Sequence, residues 1–219
     1  MYGLPRFKLI DVDEFGLTLE KCNHTNGWAL KYTRVRKDGH YKERNKLTVL
    51  IAIEPGDPRL QSHVPGSVQN PRRWCRCIQN RGTSNIVFAD FCELICLDIE
   101  VNPVVGSDTD DHRIFLWDNL SSHHSAYVNQ TVTGRTGQHQ FTIVPHPPYQ
   151  PKFGPIEYNI CNLTHNVHMR KGTHWTAARL EQEVQAIVNR IGPFEDTFRH
   201  YGYKWTICTV TGNVIDELA

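Results

Sequence analysis

Residues 113–119 read Arg-Ile-Phe-Leu-Trp-Asp-Asn, an apolar run that ends abruptly in an acid and an amide. A short run of bulky apolar residues is typical of a buried β-strand. A carboxylate at the end of such a strand is costly to bury unless it binds a cation or a positively charged partner. Asp118 is therefore a candidate functional residue, and the alternative is an ordinary turn or cap residue.

Further strands and two helices are predicted on either side of this stretch. Helices are indicated by apolar residues at helical spacing, first over 87–100, with Ser84 or Asn85 as the cap, and then over 180–191. The predicted strands are 7–12, 28–35, 46–53 and 141–144. The first part of the chain holds only predicted strands, and the later part alternates strands with helices. This order predicts an α/β layered domain with a mixed sheet.

The composition is that of a globular protein. The chain has 219 residues, of which 39% are hydrophobic and 21% charged, and this length fits one domain. No apolar stretch approaches the ~20 residues of a membrane span. Pro5 and Arg6 lie where a signal peptide would need its apolar stretch. We therefore expect a nuclear or cytoplasmic protein that is not secreted.

Seven cysteines without a signal peptide are expected to be reduced thiols. Cys75 and Cys77 form one close pair, and Cys92 and Cys96 form another. Four thiolates suit tetrahedral zinc, but the spacing departs from the usual paired C-x2-C form. The sequence therefore leaves a zinc site and buried free thiols as alternatives.

Acids also follow two other predicted elements. Asp13 comes directly after the first strand, and Glu157 follows a proline-rich stretch. Three carboxylates at one sheet edge would suit hard divalent ions, which can activate a nucleophile in phosphoryl transfer. Asp11 is the alternative to Asp13, because residues two apart share one face of a strand.

Two basic segments lie beside an acidic one. Residues 31–46 carry a net charge of +5, and residues 69–81 hold four arginines and no acid. Such segments are either a polyanion-binding face or solvated loops.

Three ordered blocks of the chain resemble the catalytic domain of mariner-type DDE transposases. The blocks are IDVDEFGL at 10–17, with GWALK downstream, FLWDNLSSHHS at 115–125 and VPHPPYQPKFGPIEY at 144–158. The family patterns are a strand ending in Asp-Glu, a strand ending in Asp-Asn with a following Ser-x-His, and Pro-x-Tyr-x-Pro running into Asn-Pro-Ile-Glu. The resemblance covers about residues 7–170 and implies a ribonuclease-H-like mixed sheet flanked by helices. One departure is Gly154, where the family usually has Asn.

The resemblance implies metal-dependent DNA strand cleavage and transfer. Asp13, Asp118 and Glu157 would be the catalytic acids and would hold two Mg²⁺ or Mn²⁺ ions. The expected partner is double-stranded DNA, with a homodimer as the assembly and no membrane. Replacing Asp118 by Asn is expected to leave folding intact or improve it, because crowded carboxylates repel one another. The residues expected to contact nucleic acid are Lys31, Arg34, Arg36, Lys37, Lys42, Arg44, Arg72, Arg73, Arg76 and His123.

The predicted organisation is a catalytic domain over 1–170, with an irregular insertion at 55–86, and a C-terminal helical segment over 171–219. Mariner-type transposases carry helix-turn-helix modules ahead of the first catalytic strand, and here no room is expected for them. A decayed or co-opted transposase fragment, which binds DNA or a partner without catalysis, is the alternative function. A cellular ribonuclease-H-like nuclease is a third.

Overall fold

The computed structural model describes residues 8–18, 46–55, 72–102, 112–137, 139–146, 154–170, 175–192, 194–200, 204–207 and 214–217. The strands are β1 (Leu9–Thr18), β2 (Lys46–Ile53), β3 (Arg73–Gln79), β4 (Arg113–Trp117), β5 (Phe141–Pro145), β6 (Lys204–Ile207) and β7 (Val214–Glu217). The helices are α1 (Asn85–Val101), α2 (Ala126–Thr133), α3 (Pro155–Arg170), α4 (Ala177–Val188) and α5 (Glu195–His200). No helix among these residues is both long and apolar enough to cross a membrane.

Five strands form one mixed sheet in the order β3-β2-β1-β4-β5. β1 pairs antiparallel with β2 and parallel with β4, so the sheet changes from antiparallel to parallel at its central strand. β2 also pairs antiparallel with β3, and β4 pairs parallel with β5. This arrangement confirms the predicted α/β fold with a mixed sheet, and β6 and β7 pair with each other as a separate two-stranded sheet.

Each face of the large sheet has its own apolar core, because successive side chains of a strand point to opposite faces. Leu9 and Leu17 of β1 pack on one face with the buried sides of α3 and α4. Ile10 and Val12 pack on the other face with α1 and α2. β2 is buried along its whole length after Lys46, as a strand covered on both faces should be.

The predicted α1 is confirmed with its cap. Ser84 Oγ accepts from the backbone N–H of Val87 and so satisfies one free donor of the first turn. Phe88 and Phe91 are among the side chains that α1 buries against the sheet. The ring of Phe88 meets that of Trp117 edge-on, with centroids 5.3 Å apart. This contact packs α1 against β4, the strand that ends just before Asp118.

The first strand is longer than predicted. It was expected over 7–12 with Asp13 directly after it, but β1 continues to Thr18, so Asp13 lies inside the strand. The extension follows from antiparallel pairing with β2, which runs as far as Lys46.

Two predictions of organisation also need correction. The irregular insertion expected over 55–86 is wrong for residues 73–79, which form β3 by pairing with β2, and for the start of α1. The helical segment expected over 171–219 contains α4 and α5 but also the strands β6 and β7. The strand predicted over 28–35 lies outside the described residues.

Candidate active site

The parallel pairing of β1 with β4 brings acids to one end of the sheet. Asp11 lies opposite Leu116 in this register. Continuing the register by two residues places Asp13 level with Asp118, just past the end of β4. Asp11 and Asp13 share a strand face with Leu9, and this is the face that α3 covers. Two acids predicted from separate blocks are thus neighbours across the sheet.

Glu157 reaches this end of the sheet from the first turn of α3. The partial positive charge of a helix N-terminus favours a carboxylate there. Burial nevertheless raises the pKa of Glu157, and the charges of Asp11 and Asp118 raise it further. The acids of β1, β4 and α3 are therefore close enough to interact electrostatically. A Cβ at Gly154 would lie 3.6 Å from Asp11 Oδ2, an ordinary contact, so space alone does not require glycine at this position.

Asp13 is the acid whose ionisation is most disfavoured. Burial raises its pKa to about 8, against a hydrogen bond from the Glu14 N–H that lowers it, and the charges of the other acids add to the increase. The Glu14 N–H donates to Asp13 Oδ1 over 2.7 Å. A carboxyl group with such a high pKa is a typical feature of a functional site.

Asp118 has the opposite electrostatic environment. His123 Nδ1 donates to Asp118 Oδ1 over 2.6 Å, and the backbone N–H of Leu120 donates to the same oxygen over 3.1 Å. The bond from His123 is the main reason that the pKa of Asp118 lies below its usual range. The ring of His123 is itself fixed, because it stacks on Phe88 with centroids 3.9 Å apart. Asp118 is thus held as an oriented carboxylate with half of its side chain exposed.

Asp11 is completely buried, and both of its oxygens are engaged. His146 Nε2 donates to Oδ1 over 2.9 Å, and the backbone N–H of Ile156 donates to Oδ2 over 3.0 Å. Burial alone would lower the pKa of His146, but the bond to Asp11 and the nearby carboxylates raise it above its ordinary value. Asp11 therefore connects β1 to the residue that follows β5 and to the first turn of α3.

Arg72 and Arg73, two of the residues predicted to contact nucleic acid, are both engaged by other parts of the protein. Arg72 forms ion pairs with Glu54 and Asp98, at 3.7 and 4.0 Å, and donates to the Asn102 carbonyl. Arg73 donates to the carbonyl of Ile191.

The other predicted contacts with nucleic acid differ in how the structure places them. Arg76 pairs with Asp90 across 3.8 Å on the face that α1 covers, opposite to Asp13. His123 is only 1% exposed, and its Nδ1 donates to Asp118 Oδ1. Lys31, Arg34, Arg36, Lys37, Lys42 and Arg44 lie outside the described residues.

The two cysteine pairs considered as a zinc site, both within the described residues, lie on opposite faces of the sheet. Cys75 and Cys77 pack on the α4 face of the sheet, whereas Cys92 and Cys96 lie in the core on the α1 face. The sheet separates the two pairs, and burial raises the pKa of Cys92 and that of Cys96, the latter to about 12. Within the described ranges, no three His, Cys, Asp or Glu side chains converge tightly enough to hold an ion as they stand.

Neither His146 nor the role of Asp11 was predicted from the sequence. A signal was present, because His146 lies two residues past the strand predicted over 141–144, in the third quoted block. Its backbone N–H donates to the Trp117 carbonyl, and Asn119 Nδ2 donates to the His146 carbonyl, each over 2.8 Å. This histidine therefore lies beside Asp118 at the acidic end of the sheet.

Comparison with known proteins agrees with this geometry. The family model of the DDE superfamily endonucleases matches residues 8–178. No curated protein sequence matches the chain.

Solved structures of the Mos1 mariner transposase share the fold, which confirms the ribonuclease-H-like architecture. The Mos1 paired-end complex with Mn has a TM-score of 0.62 at 11% identity, covering 89% of this chain and 52% of that one. The Mos1 catalytic domain has a TM-score of 0.56 at 12% identity, covering 89% and 76%. The chain thus spans about half the length of the full transposase chains that it matches. Since the family model covers most of its length, the chain belongs to the DDE superfamily endonucleases.

Proposed function

We propose that this chain is a divalent-metal-dependent DNA endonuclease and strand-transfer domain of the transposase type. The observation that carries the proposal is that acids of β1, β4 and α3 meet at one end of a sheet in a chain that the family model matches. Asp13, Asp118 and Glu157 would be the catalytic acids. Structures of the Mos1 transposase hold Mg or Mn and transposon ends, which supports the same ions and a DNA duplex as partner here.

The donor set fits a hard divalent cation. Carboxylate oxygens are the ligands that Mg²⁺ and Mn²⁺ prefer. The elevated pKa of Asp13 and that of Glu157 show that uncompensated negative charge is disfavoured here, and a cation would relieve it. When bound, two such ions would activate the attacking oxygen and stabilise the leaving oxygen of a phosphodiester.

The hydrogen bonds of the acids differ, and this difference indicates which acids are free to bind an ion. Both oxygens of Asp11 are used inside the protein, whereas Asp13 has one oxygen engaged by the Glu14 N–H. This difference favours Asp13 over Asp11 as the ligand from β1. Asp118 is half exposed and held in orientation by His123, so its carboxylate is accessible to an ion from solvent.

DNA contact is proposed for the basic residues between β1 and β2. That connection leaves the sheet at Thr18 and returns at its pairing partner Lys46. Neutralising phosphates with lysine and arginine gives affinity that falls steeply with salt.

The homodimer and the nuclear or cytoplasmic location remain predictions.

The test is nicking of supercoiled plasmid with Mg²⁺ or Mn²⁺. Asp118→Asn removes one ligand charge, and we expect a loss of roughly a thousandfold or more in rate. Asp90→Asn is the matched control, since Asp90 is a half-exposed acid on α1 at the other face of the sheet. Activity of the control should equal that of the wild type.

Two outcomes would contradict the proposal. If Asp118→Asn cuts as fast as the wild type, the assignment of the acids is wrong. If the wild-type chain binds DNA but does not cut it with either ion, the alternative of a co-opted DNA-binding fragment replaces the proposal. A clear preference for RNA–DNA hybrid would instead indicate a ribonuclease-H-like nuclease.

A further inference from the structure

Asp11 and His146 form a buried pair that the proposed catalytic acids do not include. Asp11 is fully buried, and His146 has only 12% of its side chain exposed. The two residues are 135 positions apart in the chain, so only the completed fold brings them together. A buried carboxylate survives where each oxygen has a donor, and Asp11 meets this condition with His146 Nε2 and the Ile156 N–H.

The second bond of Asp11 acts directly on the position of Glu157. Ile156 is the residue before Glu157 in the first turn of α3, where backbone N–H groups have no partner inside the helix. The bond from Ile156 N to Asp11 Oδ2 therefore fixes the start of the helix relative to β1, which also carries Asp13. The bond from His146 fixes the carboxylate plane of Asp11 from the other side.

We infer that Asp11 and His146 are positioning residues, which set the separation between Asp13 and Glu157 and so the affinity of the site for a divalent ion. The inference rests on the proposed function, since it assigns these residues to the same metal site. Neither residue needs to touch the ion or the DNA in this role. A displacement of the α3 start by one ångström would be enough to separate two ligands.

Two variants of Asp11 test whether the residue acts on Mn²⁺ binding by positioning the ligands or only through its negative charge. Asp11→Asn keeps both hydrogen bonds, because its oxygen can accept from Ile156 while its amide donates to the other tautomer of His146. Asp11→Ala loses both bonds. Positioning therefore predicts Mn²⁺ affinity within about threefold of the wild type for Asn and at least tenfold weaker for Ala. A pure charge effect predicts the same loss in both.

His146 supplies an independent pair of variants. Its Nδ1 makes no hydrogen bond within the described part of the chain, so the amide of Gln can replace the side-chain bond that the ring makes to Asp11. His146→Leu removes the donor and leaves the charge of Asp11 in place. Positioning predicts at least threefold weaker Mn²⁺ binding for Leu and near wild-type binding for Gln. Electrostatics alone predicts equal or tighter binding for Leu, because no negative charge is lost.

The experiment is titration of Mn²⁺ by calorimetry, with hydrogen exchange of the metal-free protein measured over residues 154–160. Faster exchange there is expected in Asp11→Ala and His146→Leu but not in the conservative variants. His112→Leu is the matched control, since His112 bonds to Thr142 at the opposite end of β5. Equal Mn²⁺ affinity in all variants, or equal losses in Asp11→Asn and Asp11→Ala, would overturn the inference while the proposed function stands. A wild-type chain that binds no Mn²⁺ would overturn both.

Discussion

Replacing Asp13 by Asn is expected to stabilise the metal-free protein. The folded-state pKa of Asp13 is about 8, whereas an unfolded chain ionises near 3.9. At pH 7 the folded state must therefore keep a proton that the unfolded state has lost, which costs about 4 kcal/mol of stability at 1.36 kcal/mol per pKa unit. Asn avoids this cost but still buries an amide, so we expect a gain of about 2–4 kcal/mol at pH 7.

The pH dependence has a definite sign. Between about pH 4 and pH 8 the folded state binds more protons than the unfolded state because of Asp13, so the free energy of unfolding falls as pH rises. Asp13 contributes up to about 1.4 kcal/mol per pH unit to this fall in the free energy of unfolding. Asp13→Asn should remove that contribution and so flatten the pH dependence. The raised pKa of Glu157 acts in the same direction and remains in the variant.

The measurement is urea unfolding in EDTA at pH 5, 6, 7 and 8, with Asp90→Asn as the control. Adding millimolar Mn²⁺ should stabilise the wild type more at pH 8 than at pH 6, because the ion competes with the proton, and should do little for Asp13→Asn. A variant that is less stable than the wild type at pH 7, with an unchanged pH slope, would refute this reasoning.

Three further predictions concern the side chains of Asp118, Arg135 and Arg72. Asp118→Asn should lower stability by at most about 1 kcal/mol at pH 7 in EDTA, since it weakens the bond from His123 at a half-exposed site; a higher urea midpoint would contradict this. Arg135→Gln should cost about 1 kcal/mol at pH 7 through loss of the two-point contact with Glu100, at 2.6 and 2.8 Å. Because the pKa of Glu100 is lowered, mainly by that contact, the cost should shrink as the pH falls below the usual pKa of a glutamate and the carboxylate takes up a proton, which thermal melts would show. Arg72→Ala should lower stability by about 1–3 kcal/mol through the loss of its pairing with buried Glu54, yet leave DNA affinity, measured by fluorescence anisotropy, within twofold.

The strands whose bounds could be predicted are those dominated by an apolar run. β2 and β4 begin and end where the sequence indicates, because each apolar run is bounded by polar or turn-forming residues. β3 was missed because RWCRCIQ carries two arginines and is only partly buried, as an edge strand. Its strand conformation depends on pairing with β2 and not on local preference.

The acidic end of the sheet could be predicted in outline, but not the distinction between its acids. Asp11 and Asp13 share one strand face, and only distant partners differentiate them. His146 and Ile156 engage Asp11, and Phe88 of α1 fixes the ring that orients Asp118. Neutralising Asp118 was expected to relieve repulsion, but the bond from His123 stabilises the negative charge of Asp118. The acid whose charge is disfavoured is Asp13.

The central place of β1 has a consequence for folding during synthesis. β2 can pair with β1 soon after translation, but β4 lies about 95 residues further along the chain. At roughly 5–20 residues per second, the second edge of β1 stays unpaired for about 5–20 s beside one of the most apolar strands of the protein. Charged residues on an open edge discourage pairing with other chains. We therefore expect Asp11 and Asp13 to discourage aggregation of the nascent hairpin until β4 pairs with this edge.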